Sequence, residues 1–96
     1  MIDEEFEWDA AKAESNLVKH GISFAAARCV FDDVFACELC DVESNPSELR
    51  YIITGMVKEV ILTVVYTERG ARTRIVSARR ATKYEQAEYY RSQTAK

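Results

Sequence analysis

Arg79-Arg80-Ala81-Thr82-Lys83 runs up to Glu85, two positions further on. Residues of these types do anion chemistry. Arginine presents a planar fork of N–H donors that matches phosphate oxygens in pairs, and it stays charged at any ordinary pH. Thr82-x-x-Glu85 has the pattern of a helix capping box, in which each side chain satisfies an orphan backbone N–H of the first turn. A helix N-terminus attracts anions, and each nearby surface cation costs it roughly 0.3–1 kcal/mol. Three cations around a capped helix start make sense if an anion binds there. The plain alternative is that their stems lie over apolar surface and hold the charges in water.

The charge distribution favours the first reading. Residues 1–48 carry 12 acidic and 3 basic side chains, a balance of −9, while residues 49–96 carry 4 and 10, a balance of +6, within a net charge of −3. Residues 69–83 hold six basic side chains and no acid. Such asymmetry marks an interaction face. His20 is the only histidine, and imidazole is the side chain that ordinarily titrates near neutrality. Cationic residues at a helix end also suit the dipole, which would account for Lys19 and His20 without chemistry. Cys37-x-x-Cys40 resembles half of a zinc or redox motif. It lies in an apparent strand, where the two side chains point to opposite faces, and no second pair accompanies it. With Cys29 the count is odd, so no disulfide framework is expected.

These side chains need elements to position them. Phe6-Glu7-Trp8 reads as a short strand, with Phe6 and Trp8 as core anchors. Asp9 caps a helix over residues 10–20, whose apolar face is Ala10, Ala13, Leu17 and Val18, with Lys12, Asn16 and Lys19 on a polar face. Gly21 suits the left-handed position that ends it. Ser23 caps a second helix over residues 24–33, with Phe24, Ala27 and Phe31 inward. Strands follow over 35–43, 49–57, 59–68 and 71–79, with turns at 44–48 and at Glu68-Arg69-Gly70-Ala71. The strand 59–68 is almost continuously apolar and therefore central. A last helix runs from Thr82 to about Thr94. Regular alternation along RTRIVSARR puts Arg72, Arg74, Val76, Ala78 and Arg80 on one face and Arg79 on the other. The order β-α-α-β-β-β-β-α predicts one α+β domain over 1–96, a mainly antiparallel sheet with an N-terminal helical pair and one C-terminal helix. No apolar run reaches the length of a membrane span and the acidic start is unlike a secretory signal, so a cytoplasmic protein is expected.

Three blocks resemble the BrnT family of toxins from bacterial type II toxin–antitoxin modules. The first is FEWDAAKAESNLVKHGISFAAARCVFDD, with Asn16, Lys19-His20-Gly21 and Phe31-Asp32-Asp33. The second is Arg50-Tyr51 with Gly55. The third is VVYTERGARTRIVSARRATKYEQAEYY, with Arg74-Ile75, Ser77-Ala78-Arg79, Ala81-Thr82, Glu85 and Tyr89 or Tyr90. The sequence departs from the family where Tyr84 and Gln86 flank Glu85, a segment often richer in basic residues, and at Ala25-Ala26, where acidic residues are common.

The resemblance implies a RelE-like fold and a ribonuclease that arrests translation. It also implies a cognate antitoxin of ribbon-helix-helix type, through which alone the toxin would meet operator DNA. RNA cleavage needs a base for the 2′-OH, an acid for the leaving 5′ oxygen, and cations for the charged phosphorane. No dense Asp/Glu/His cluster occurs in the sequence, so cleavage without a metal or other cofactor is expected. Phosphate stabilisation falls to Arg74, Arg79 and Arg80. Base and acid are open between His20 and Glu85, and Glu85 also has its capping role. Arg50, Arg72, Lys83 and Lys19 are candidate RNA contacts, and Tyr89 or Tyr90 could stack on a base or pack the last helix on the sheet. The other class of function that fits is a non-catalytic module, including a decayed toxin, whose basic edge docks nucleic acid or a protein partner.

Overall fold

A computed structural model of the chain describes residues 4–41 and 48–94. It contains β1 (Phe6–Glu7), α1 (Ala10–His20), α2 (Phe24–Arg28), a 3-10 turn (Cys29–Asp32), β2 (Cys37–Asp41), β3 (Arg50–Val57), β4 (Val60–Arg69), β5 (Arg72–Arg80) and α3 (Lys83–Thr94). This is an α+β fold. The five strands form one sheet in the order β1-β5-β4-β3-β2. All neighbours are antiparallel except β1, which runs parallel to β5. No described helix is long and apolar enough to cross a membrane. The turn expected at 44–48 lies largely outside the described residues.

α1 and α2 cover one face of the sheet. There Phe24, Ala27 and Val30 meet Leu62, Val64 and Tyr66 of β4, Ile75 and Ala78 of β5, and Ile53 of β3. Phe6 and Trp8 join this core as expected, Phe6 packing edge-on against Phe31 at 5.2 Å. Burying one such apolar side chain fully is worth about 1.5–3 kcal/mol. α3 lies on the opposite face, where Tyr89 packs with Ile61, Ala81, Met56 and Cys37. Beyond α3, Leu39 on this face is 71% exposed.

Helix caps follow the sequence signals. Asp9 accepts from the amides of Ala11 and Lys12, Ser23 accepts from Ala26, and Gly21 ends α1 at φ 71°. The second helix is shorter than expected. It stops at Arg28 and tightens into the 3-10 turn, which brings Asp33 back over β3. Asp33 Oδ2 accepts from the Met56 amide at 2.8 Å and from the Tyr89 hydroxyl at 2.5 Å. Gly55 packs tightly beside it: a Cβ there would lie 3.0 Å from Val30 Cγ1 and 3.3 Å from Asp33 Oδ2, so these side chains would have to give by a few tenths of an ångström.

The face assigned to α1 is corrected by the structure. Leu17 and Val18 are exposed, and the side chain α1 buries is Asn16, 7% exposed. The reason lies in the sheet edge. β1 pairs with β5 only at Thr73 and Arg74, so the outer edge of β5 is bare beyond that point. Asn16 stands in for the missing strand. Its Nδ2 donates to the Ala78 carbonyl at 2.8 Å and its Oδ1 accepts from the Ala78 amide at 3.2 Å. The same Nδ2 donates to the Ile22 carbonyl at 2.9 Å, closing the α1–α2 turn. Buried backbone groups left without such partners would be costly.

Regular alternation along β5 is also corrected. The β4–β5 register shifts between Val65 and Tyr66, so that Val65 pairs with Ser77 while Tyr66 pairs with Ile75. A bulge of this kind inserts one residue and turns the side chains that follow. Arg79 therefore pairs with Thr63 and Arg74 with Thr67. Thr63 and Thr67 stand four residues apart on β4, so Arg74 and Arg79 share the open face and Arg80 does not.

Candidate active site

The site forms where β5 runs into α3. The Ala81 amide donates to the Ile61 carbonyl at 2.9 Å, extending the sheet ladder to the last residue before the helix. Thr82 then caps α3. The Glu85 amide donates to Thr82 Oγ1 at 3.1 Å, and the Thr82 amide donates to Glu85 Oε1 at 2.8 Å. This is the reciprocal capping box the sequence predicts. Gln86 adds a bond from Nε2 to the Ala81 carbonyl at 3.1 Å.

Glu85 does more than cap. It faces the sheet and takes the end of the Arg79 guanidinium in two parallel bonds, Nη1 to Oε1 at 2.7 Å and Nη2 to Oε2 at 2.9 Å. Thr63 donates to Oε1 at 3.0 Å, and Thr54 Oγ1 lies 3.0 Å from Thr63 Oγ1. A polar chain thus crosses β3, β4 and β5 beneath the start of α3. The Arg79 hydrogen bonds come first among the causes that pull the Glu85 carboxyl down to about 2, against burial, with help from the Thr82 amide and the Thr63 hydroxyl. Arg79 is in turn held more firmly protonated by Glu85.

Two consequences follow for chemistry. Glu85 is an anion at neutral pH with its oxygens already engaged, which makes it a poor proton acceptor. The geometry makes it the carboxylate against which the Arg79 guanidinium is held. Arg79 keeps useful donors. Its Nη1 also donates to the Arg80 carbonyl at 3.3 Å, so three of its five N–H groups are engaged. The two that remain, on Nε and Nη2, lie along one side of the fork, which is the pair a phosphate takes in bidentate fashion. Among the described residues, the Arg80 and Lys83 side chains have no hydrogen bond or ion pair, and the amides of Lys83 and Tyr84 are not used by the cap.

The other predicted residues are dispersed. Arg74 donates to Glu7 at 2.6 Å, four β4 residues or about 13 Å along the sheet from Arg79. It cannot share a phosphate with Arg79, and much of its charge is met by Glu7. Arg50 lies on the same face, and its Nε is buried with no hydrogen-bond partner among the described residues. Arg72 is exposed at the far end of β5. His20 and Lys19 line a cleft with Lys12, Asn16, Val76 and Ser77, at the edge of β5 that α1 covers. Of the two roles offered for Tyr89, the structure shows the packing one. It is 2% exposed with its hydroxyl on Asp33, so it packs α3 on the sheet and is not free to stack on a base. Cys29, Cys37 and Cys40 are free thiols. Among the described residues no group of three His, Cys, Asp or Glu side chains comes together as a metal site.

A mostly antiparallel α+β domain with an oriented arginine and two further cations at one strand-to-helix junction is the class that fold and site define. Residues 8–85 match the family described as the ribonuclease toxin BrnT of type II toxin–antitoxin systems. The chain belongs to that family. Comparison with curated proteins finds no match.

Proposed function

We propose that the protein is a metal-independent endoribonuclease that holds the scissile phosphate at the junction of β5 and α3. Arg79 is the residue on which the reading turns. Its guanidinium is oriented by Glu85 before any substrate arrives, with one bidentate edge left open. Lys83, with its unused amide at the start of α3, completes a cationic cradle on the Arg79 side of the sheet. Donors already aimed at the developing negative charge of a phosphorane lower the barrier without reorganising during the reaction. Arg50 and Arg74, further along the open face, lie where the neighbouring backbone of a bound strand would pass.

In this mechanism the 2′ oxygen attacks phosphorus and the 5′ oxygen leaves, giving a 2′,3′-cyclic phosphate and a 5′ hydroxyl. Proton transfer is assigned to His20. Its cleft includes Ser77, two residues before Arg79 on β5. Control comes from a cognate antitoxin of ribbon-helix-helix type, which links the toxin to operator DNA.

The test uses purified wild-type and Arg79→Ala proteins, an RNA substrate, and EDTA. Mapped ends carrying cyclic phosphate in EDTA are expected from wild type. Loss of one oriented donor group should lower the rate of Arg79→Ala by roughly 100-fold or more. Cleavage only on adding magnesium refutes metal independence. RNA that binds and stays intact under both conditions refutes the enzyme in favour of a binding module.

A further inference from the structure

The open face carries a feature that phosphate binding leaves unused. Between β2, β3 and the first turns of α3 lies a groove of 160 Å³, lined by Leu39, Ile52, Thr54, Tyr84, Glu85 and Glu88. Leu39 and Ile52 are cross-strand partners and make an apolar floor. Tyr84 and Glu88 stand four residues apart on α3 and so share one side of the helix. Leu39 is 71% exposed and Tyr84 73%, which leaves two large apolar surfaces open to water beside the groove. Glu85 belongs to the groove and to the Arg79 site alike. Cys37, Thr54, Thr63 and Arg79 form one row across β2, β3, β4 and β5. The groove floor at β3 is therefore two strand spacings, about 10 Å, from the arginine. That is the reach of a nucleotide from its phosphate to the far edge of its base.

We propose that this groove is a nucleobase subsite, taking the base attached to the phosphate that Arg79 holds. The proposal rests on the RNA-cleaving reading above. A planar base slides over Leu39 and Ile52 with the Tyr84 ring against its other face, the stacking arrangement by which proteins hold unpaired RNA bases. Glu88 supplies selectivity. One of its oxygens accepts from Arg91, and the other has no partner among the described residues. A carboxylate oxygen there accepts from an exocyclic amino group, as in its pairing with cytosine N4, and repels the carbonyl oxygen that uracil puts in the same place. The groove therefore takes an amino-bearing base in preference to uracil.

Residue-resolved NMR titration of the full chain tests this with ribose 5-phosphate, cytidine 3′-monophosphate and uridine 3′-monophosphate. Ribose 5-phosphate should move resonances of Arg79 and Lys83 and leave those of Leu39, Ile52 and the Tyr84 ring unmoved. The cytidine compound should also move Leu39, Ile52 and Tyr84, and bind more tightly than the uridine compound. Tyr84→Ala should weaken cytidine binding roughly tenfold while leaving ribose 5-phosphate unchanged, and Tyr84→Trp should restore it. Glu88→Gln should remove the preference for cytidine over uridine. If all three compounds move only the junction, the subsite is refuted and the phosphate reading survives. If ribose 5-phosphate leaves the junction unmoved, the phosphate reading falls and takes the subsite with it. Leu39 and Ile52 that respond to a cognate antitoxin and to no nucleotide would make the groove a protein-docking surface and refute the subsite.

Discussion

Glu85→Gln separates the two roles that a glutamate at this position could have. The glutamine side chain keeps an oxygen for the Thr82 amide and the Thr63 hydroxyl but loses the charge that binds Arg79. The carboxyl is held at about 2 against an ordinary 4.5. That difference would be worth about 3 kcal/mol in a dry site. The Arg79 side chain is 39% exposed and that of Glu85 22%, so solvent screening reduces the figure to about 1–2 kcal/mol. A domain of this size should then melt about 5–10 °C lower at pH 7. The pH dependence carries the sign. The folded protein holds the carboxylate more tightly than the unfolded chain, so the stabilisation is complete above pH 4.5 and fades as pH falls through about 2. Melting curves of wild type and variant should therefore converge between pH 4.5 and 2. A variant as stable as wild type at pH 7, or a gap that persists unchanged into acid, would refute the ion pair as a source of stability. Kinetics complete the test. If Glu85 positions Arg79, the variant loses less activity than Arg79→Ala and its pH–rate profile keeps the wild-type shape. A profile that loses its acidic limb would restore Glu85 as the base.

Three further outcomes are expected. Asn16→Ala strips the Ala78 amide and carbonyl and the Ile22 carbonyl of buried partners, and at about 1–3 kcal/mol per orphaned group it should lose at least about 3 kcal/mol in chemical denaturation. Tyr89→Phe should lose about 1–2 kcal/mol. Burial first, and then Asp33, raise the Tyr89 hydroxyl to about 12, so its contribution is complete below pH 10 and fades toward pH 12. The variant's stability should lack that fall, as alkaline melts will show. Glu59→Gly should stabilise by about 0.5–1 kcal/mol, because Lys58 and Glu59 both have positive φ, 47° and 70°, in a two-residue hairpin turn without glycine. Denaturant midpoints of the variant and wild type check it.

Local chemistry was readable in the sequence. The caps at Asp9, Ser23 and Thr82 with Glu85, the glycine that ends α1, and the central β4 all follow from signals within a few residues. So does the cationic junction itself, since Arg79 and Glu85 are six residues apart. The parts that were not readable depend on partners far along the chain. Asn16 looks polar and exposed until Ala78, 62 residues away, is seen to need a substitute strand. Arg74 looks like a free cation until Glu7 meets it across 67 residues. Tyr89 looks available until Asp33 takes its hydroxyl. The bulge that turns Arg79 onto the open face has no glycine or proline to announce it. The Lys58-Glu59 turn is hidden for the same reason, and Glu59 accordingly read as part of a strand.

The Arg79–Glu85 pair also bears on how such a protein can be kept safe. Many enzymes are switched by a loop that closes or a residue that swings into place. Here the aiming carboxylate sits on the same short chain segment as the arginine it aims, pinned by Thr63 from below and by its own helix cap. Folding and arming are one event. Restraint in the proposed enzyme must then come from outside the fold, from a partner that shields the junction or from the rate at which the chain is made and destroyed.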